Sequence, residues 1–192
     1  MKGLALFAAC ALLVGACGTG PESGRVAGSP EVEPFLDAPS AVRAQAAVTD
    51  ANGSPIGLAT FTEGRQSVEV NLRMSNLPPG PHGVHVHSVG KCDPPDFMTA
   101  GPHFNPHAKM HGILSPQGPH AGDLPNIEIG SDGHGTLVAF DPLVNLAPGS
   151  PYSLLSSGGL SIVVHKDPDD GHTDPAGNSG SRIACGVIKK IG

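Results

Sequence analysis

Tryptophan is absent from this chain, tyrosine occurs once, and aromatic residues make up only 4% of its 192 residues. Any core must therefore come from Val, Ile, Leu and Ala, a palette that suits strands better than aromatic cages. Positive charge is also scarce, with 11 Lys and Arg against 17 Asp and Glu for a net charge of -6. That balance argues against nucleic acid or an anionic membrane surface as the main partner. No ten-residue window carries convincing helical periodicity, there is no internal repeat, and no serine-nucleophile motif is present. Gly (27) and Pro (20) approach the range of disordered chains, but 39% hydrophobic residues and alternating segments oppose that reading.

The longest uncharged apolar run, residues 3–16, follows Lys2 and ends at Cys17. It is too short for a comfortable membrane span and has the layout of an export signal. Val14-Gly15-Ala16-Cys17 resembles a bacterial lipobox. That resemblance implies removal of residues 1–16 and diacylation of Cys17, a lipid anchor to a membrane. Residues 17–40 then form a lipidated, Gly-, Pro-, Ser- and Glu-rich flexible tether, and the folded domain spans 41–192. Cys10 leaves with the signal and Cys17 carries lipid, so Cys92 and Cys185 remain. In an exported protein these two are expected to pair; two buried free thiols are the alternative.

What is present in the body of the chain is strand pattern. Segments 42–48 and 56–61 flank Asn52-Gly53, a hairpin signal. Val68, Val70, Leu72 and Met74 alternate with Glu69, Asn71 and Arg73, giving one buried and one wet face. Segments 83–88, 127–129, 135–140, 160–166 and 183–188 complete about eight strands, with a tight turn at Asp132-Gly133. The expected class is all-β, a sandwich or barrel. Two stretches, about 89–124 and 167–181, fit no strand and are long enough to suggest function.

Histidine is the over-supplied residue: there are ten, and seven lie between His82 and His120. His85 and His87 are two apart on a strand, so both imidazoles leave the same face. His165 ends another strand, which a barrel could bring alongside. The long loop adds His103, His107, His111 and His120, with Asp123 three residues beyond. Three imidazoles and a carboxylate form a closed set suited to zinc, and imidazole-only sets also suit copper. Singly, each loop histidine reads as a surface residue; the group does not.

Gly83-Val84-His85-Val86-His87, Ala100-Gly101-Pro102-His103-Phe104-Asn105-Pro106, His120-Ala121-Gly122-Asp123-Leu124 and the run Gly180-Ser181-Arg182-Ile183-Ala184-Cys185-Gly186-Val187-Ile188 together resemble the copper/zinc superoxide dismutase family. The resemblance covers about residue 41 to the C-terminus. It implies an eight-stranded Greek-key antiparallel β-barrel with two long functional loops. It implies copper on His85, His87, His103 and His165, and zinc on His103, His111, His120 and Asp123, with His103 as a shared, catalytic bridge. It places Arg182 at the mouth of the copper site as a catalytic, anion-holding residue. Asp169 matches the carboxylate that links a copper histidine to a zinc histidine. Cys92 and Cys185 match the family disulfide. The implied reaction is disproportionation of superoxide to oxygen and hydrogen peroxide in the cell envelope or periplasm. A homodimer is allowed for, without an identified surface.

The second loop is shorter than in the animal enzymes and lacks their superoxide-steering lysine, leaving Lys91 and Lys166 as candidates by chain proximity. His82, His107, His134 and His172 have no role and are expected to be solvated. The rival reading is a non-enzymatic envelope protein that stores or delivers copper and zinc on the same scaffold; Arg182 and the full copper set argue against it.

Overall fold

The computed structural model describes residues 42–192. The signal segment, Cys17 and the tether lie outside the described residues. The strands are β1 (Arg43–Asp50), β2 (Pro55–Glu63), β3 (Val68–Met74), β4 (Gly80–His87), β5 (Asp123–Ile129), β6 (Gly135–Asp141), β7 (Ser161–His165), β8 (Arg182–Val187) and a short β9 (Lys189–Ile191). Among the described residues the only helix is a single 3-10 turn, Met98–Ala100.

Local chemistry sets the turns. At the β1–β2 hairpin Asp50 Oδ1 accepts the backbone N–H groups of Asn52 and Ser54, while Gly53 takes φ +79, which favours glycine. Gly133, at φ +78, does the same between β5 and β6. All pairings between these strands are antiparallel, and the hydrogen-bonded order is β5-β4-β7-β8-β1-β2-β3-β6, with β9 added to β1. The terminal strands β5 and β6 pack beside each other without a ladder, so the sheet curls into a nearly closed Greek-key barrel. The expected fold class is borne out, and all eight anticipated strands are present.

The barrel is filled as alternation requires. On β3, Val68, Val70, Leu72 and Met74 are all buried, against Phe61 of β2 and Ala44, Ala46 and Val48 of β1. Fully burying each Val, Leu or Phe contributes roughly 1.5–3 kcal/mol relative to exposure. Three connections are long, not two. The unanticipated one, residues 142–160, joins β6 to β7 and tucks Leu146 and Leu154 into the barrel. A Glu63 carboxylate oxygen accepts the N–H of Leu146 and pins this connection to β2.

Candidate metal centre

On β4 and β7 the two faces have different occupants. Val84, Val86, Ile162 and Val164 fill the barrel, so His85, His87, Val163 and His165 project outward. Outward does not mean wet: every one of these residues is buried, because the loops 88–122 and 166–181 fold over this side.

The first loop returns along β4 and delivers His103. His87 pairs with His103 in an isolated antiparallel bridge. Phe104 N–H donates to Val86 O, Gly122 N–H to Phe104 O, and Val86 N–H to Gly122 O, each at 2.8 Å. A Cβ at Gly122 would lie 2.3 Å from Val86 O, so this close approach demands glycine. The loop is tied to β8 by the Cys92–Cys185 disulfide, Cα–Cα 5.6 Å. Under it, Phe97, Ala100, Val163 and Cys185 form a second small core outside the barrel.

Two donor clusters result. Donor atoms of His85, His87, His103 and His165 all lie within 4.8 Å of one another, as do those of His85, His103, His111 and Asp123. Hydrogen-bond partners set the tautomers. His87 Nδ1–H donates to Gly101 O (2.8 Å) and His165 Nδ1–H to Gly180 O (3.2 Å). Their Nε2 atoms, 3.4 Å apart, are then both lone-pair sites with no proton to share. His85 Nε2–H donates to Asp169 Oδ2 at 2.6 Å, leaving its buried Nδ1 without a partner. His103 Nε2 is likewise buried without one. Buried lone pairs aimed together without a donor are costly, and a cation among them removes the cost.

Around Asp123 the pattern is different. Nδ1 of His103 and of His111 lies 3.0 Å from Asp123 Oδ1, and Nδ1 of His120 lies 3.4 Å from it. A tetrahedral ion with bonds of about 2.0–2.1 Å separates its ligand atoms by about 3.3–3.4 Å, so the His120 spacing matches an edge of such a shell while the other two are hydrogen-bond distances a few tenths of an ångström shorter. Asp123 Oδ2 accepts the backbone N–H groups of Gly112 and His120, both at 2.9 Å, which aims Oδ1 inward. His120 stands at the edge of this cluster, and His85, whose Nε2 is held by Asp169, belongs to both. His103 belongs to both clusters, with Nδ1 3.0 Å from Asp123 Oδ1 and Nε2 buried without a partner.

The electrostatics follow from burial and neighbours. Burial, with neighbouring imidazoles, pushes His87 down to about 2, His165 to about 3 and His103 to about 4. His85 is lowered too, chiefly by burial. Burial acts the same way on His111, but hydrogen bonds to Asp123 and Asp169 override it and raise His111 to about 9. Burial opposes ionisation of Asp123 and Asp169, yet the histidine hydrogen bonds hold both well below the usual carboxylate range.

Asp169 joins the clusters: its Oδ2 accepts from His85, and both its oxygens lie 3.0–3.1 Å from His111 Nε2. Arg182, half-buried at the start of β8, donates Nη1–H to Phe97 O (2.8 Å) and Nη2–H to Gly101 O (2.7 Å). Gly101 O thus serves both His87 and Arg182. A cavity of about 620 Å³ opens on His103 and His120, with Ser88, Asn105, Lys109 and Asp174 in its wall. Lys109, not Lys91 or Lys166, is the lysine in that wall.

Two of the four unassigned histidines depart from expectation. His82 is buried rather than solvated, with Nδ1 2.9 Å from His165 O and Nε2 2.9 Å from Pro78 O. It shares the inward face of Val84 and Val86, a parity the sequence already carried. His107 is half-buried and stacks on Tyr152, centroids 4.5 Å apart and nearly coplanar at 6°. His134 and His172 are exposed, as expected.

Barrel and clusters together define a histidine-built dinuclear metal protein of the Greek-key β class. The family model for copper/zinc superoxide dismutase (SODC) matches residues 56–188, and the chain belongs to that family. It is 46% identical over 149 residues to "Superoxide dismutase [Cu-Zn] 1" of Aquifex aeolicus, covering 77% of this chain and 88% of the relative. It is 45% identical over 149 residues to "Superoxide dismutase [Cu-Zn]" of Caulobacter vibrioides, covering 76% of this chain and 85% of the relative. Among solved structures, a SOD-like protein from Bacillus subtilis superposes with a TM-score of 0.72 at 36% identity, covering 74% of this chain and 96% of the other.

Proposed function

We propose that the chain is a copper/zinc superoxide dismutase that is exported and held in the cell envelope by a lipid on Cys17, where it removes superoxide. His85, His87, His103 and His165 would hold copper, and His103, His111, His120 and Asp123 would hold zinc. The observation that carries this reading is the place of His103 in both donor clusters, its Nδ1 beside Asp123 and its Nε2 buried without a partner, which supports a bridging role. When bound, copper supplies the one-electron couple by which two superoxide anions and two protons become oxygen and hydrogen peroxide, while redox-inert zinc fixes charge and geometry. The chain supplies the rest. Gly101, Gly180 and Asp169 hold the outer nitrogens of three copper histidines and so fix tautomer and direction. The His103 Nε2 lone pair would be open to a proton only while copper does not engage it, so one proton could be stored there and given back. Arg182, fixed by two carbonyls, holds a positive charge for the incoming anion.

The rival reading keeps the metals and drops the catalysis. It has support in the fold's use by a relative called SOD-like rather than a dismutase, since a fold alone does not fix an activity. Metal analysis and superoxide consumption on one purified sample decide between them. We expect one copper and one zinc per chain and dismutation; a metal-loaded protein that consumes no superoxide would leave storage or delivery. Export is supported by the Cys92–Cys185 disulfide, which persists in oxidising compartments. For the anchor, mass spectrometry should find a diacylated N-terminal Cys17, and an unmodified start downstream would remove it.

A further inference from the structure

We infer that Asn126 is a positioning residue for the metal centre, acting through the backbone of Asp169; the inference rests on the metal-binding reading above. The strand register supplies the first observation. β4 and β5 pair His82 with Ile127 and Val84 with Leu124, so Pro125 and Asn126 together face Gly83. This is a β-bulge, a device that re-aims a side chain. Asn126 is re-aimed across to the loop 166–181. There its Nδ2–H donates to Asp169 O and its Oδ1 accepts from Asp169 N–H, both at 2.9 Å. One amide thus holds both backbone polar groups of a residue 43 positions away, fixing its rotation as well as its place. Only an amide offers a donor and an acceptor in this fork; a carboxylate would set an anion against Asp169 O, and glutamine is a methylene too long.

The other side of Asp169 is equally confined. Gly171 N–H donates to its Oδ1, and a Cβ at Gly177 would lie 1.9 Å from that oxygen. A Cβ at Gly83, opposite the bulge, would come 2.9 Å from Ser179 Cβ and 3.4 Å from Asp169 N. With backbone and carboxylate both fixed, Asp169 can orient His85 and His111 at once. In the assignment proposed above His85 would serve copper and His111 zinc, so a single amide on β5 sets the direction of a ligand to each metal. Nothing in the sequence marks Asn126, because the bulge that aims it exists only in the paired register.

The test is a double-mutant cycle on the full-length chain, read by zinc affinity in chelator competition and by the cupric electron-paramagnetic-resonance spectrum. Outer partners of metal ligands are typically worth 10–100-fold in metal affinity. Asp169→Asn should weaken zinc within that range, and Asn126→Ala by about tenfold, with altered copper hyperfine parameters. Asn126→Asp should do no better than Asn126→Ala, and Asn126→Ser, which keeps one short hydroxyl, should fall between parent and Ala. The decisive expectation is that Asn126→Ala costs nothing further once Asp169→Asn is present, because the amide then has no carboxylate to aim. Val70→Ala, in the core of β3, should lower the melting temperature and leave zinc affinity alone. Parental zinc affinity in Asn126→Ala and Asn126→Ser, or full additivity with Asp169→Asn, would overturn the inference. A parent chain that binds no zinc would overturn the metal-binding reading with it.

Discussion

Acid should unfold the metal-free protein far sooner than the metal-loaded one. The perturbation is a shift from pH 7 to pH 5 after chelation. His87, His165 and His103 have folded-state values of about 2, 3 and 4, all below the ordinary histidine value near 6.5. A histidine depressed in the folded state lends its full stability above the unfolded value. It loses that stability as pH falls from about 6.5 toward the folded value, because only the unfolded chain takes the proton. Each of the three then loses about 2 kcal/mol between pH 7 and pH 5, and His85 shifts in the same direction. Two groups oppose them. His111, raised to about 9, contributes most below pH 6.5, and Asp141, raised by burial to about 6, is stabilising while protonated. Each returns about 1 kcal/mol over the same interval. The net loss is about 3–4 kcal/mol, which for a domain of this size lowers the midpoint by roughly 10 °C. Bound metals hold the same nitrogens against protons, so the loaded protein should change little until the ions leave. Calorimetry of stripped and reconstituted protein at the two pH values reads both curves. A stripped protein with the same midpoint at pH 5 and pH 7, or an equal fall in both forms, would refute the reasoning.

Two further outcomes are expected. Arg182→Ala should slow dismutation by about tenfold or more with both metals retained and flatten its salt dependence, because Gly101 O still anchors His87; Arg182→Lys should keep more, and rate against ionic strength at equal copper occupancy is the measurement. Cys185→Ser opens a closure of 93 residues, worth about 4–5 kcal/mol on the chain-entropy account, and should lower the melting temperature by roughly 10–20 °C, while thiol labelling of the parent should find neither Cys92 nor Cys185.

The parts of the fold that follow from period-two patterning were legible. Val68, Val70, Leu72 and Met74 announce β3, and His85 with His87 announce a strand with chemistry on one side. Other parts depend on pairing, which no single strand encodes. β5 was read from Ile127, although it starts at Asp123, because Pro125 and the bulge break its alternation. Asn126 is invisible for the same reason. The connection 142–160 carries neither alternation nor histidine, so its role in closing the barrel waits for Leu146 and Leu154 to be placed. His82 is a different case: its parity with Val84 and Val86 was available, and its resemblance to the neighbouring histidines obscured it.

The two-sided use of β4 and β7 has a consequence for how this chain can change over generations. Oil and chemistry occupy alternate positions of the same strands, with Val84, Val86, Ile162 and Val164 inward and His85, His87 and His165 outward. A substitution at one of those histidines removes a ligand without opening a hole in the barrel, and a substitution among the valines does the reverse. Mutations that abolish the activity are therefore largely separate from mutations that abolish the protein. The barrel's packing and the metal centre thus draw on separate sets of side chains along the same two strands.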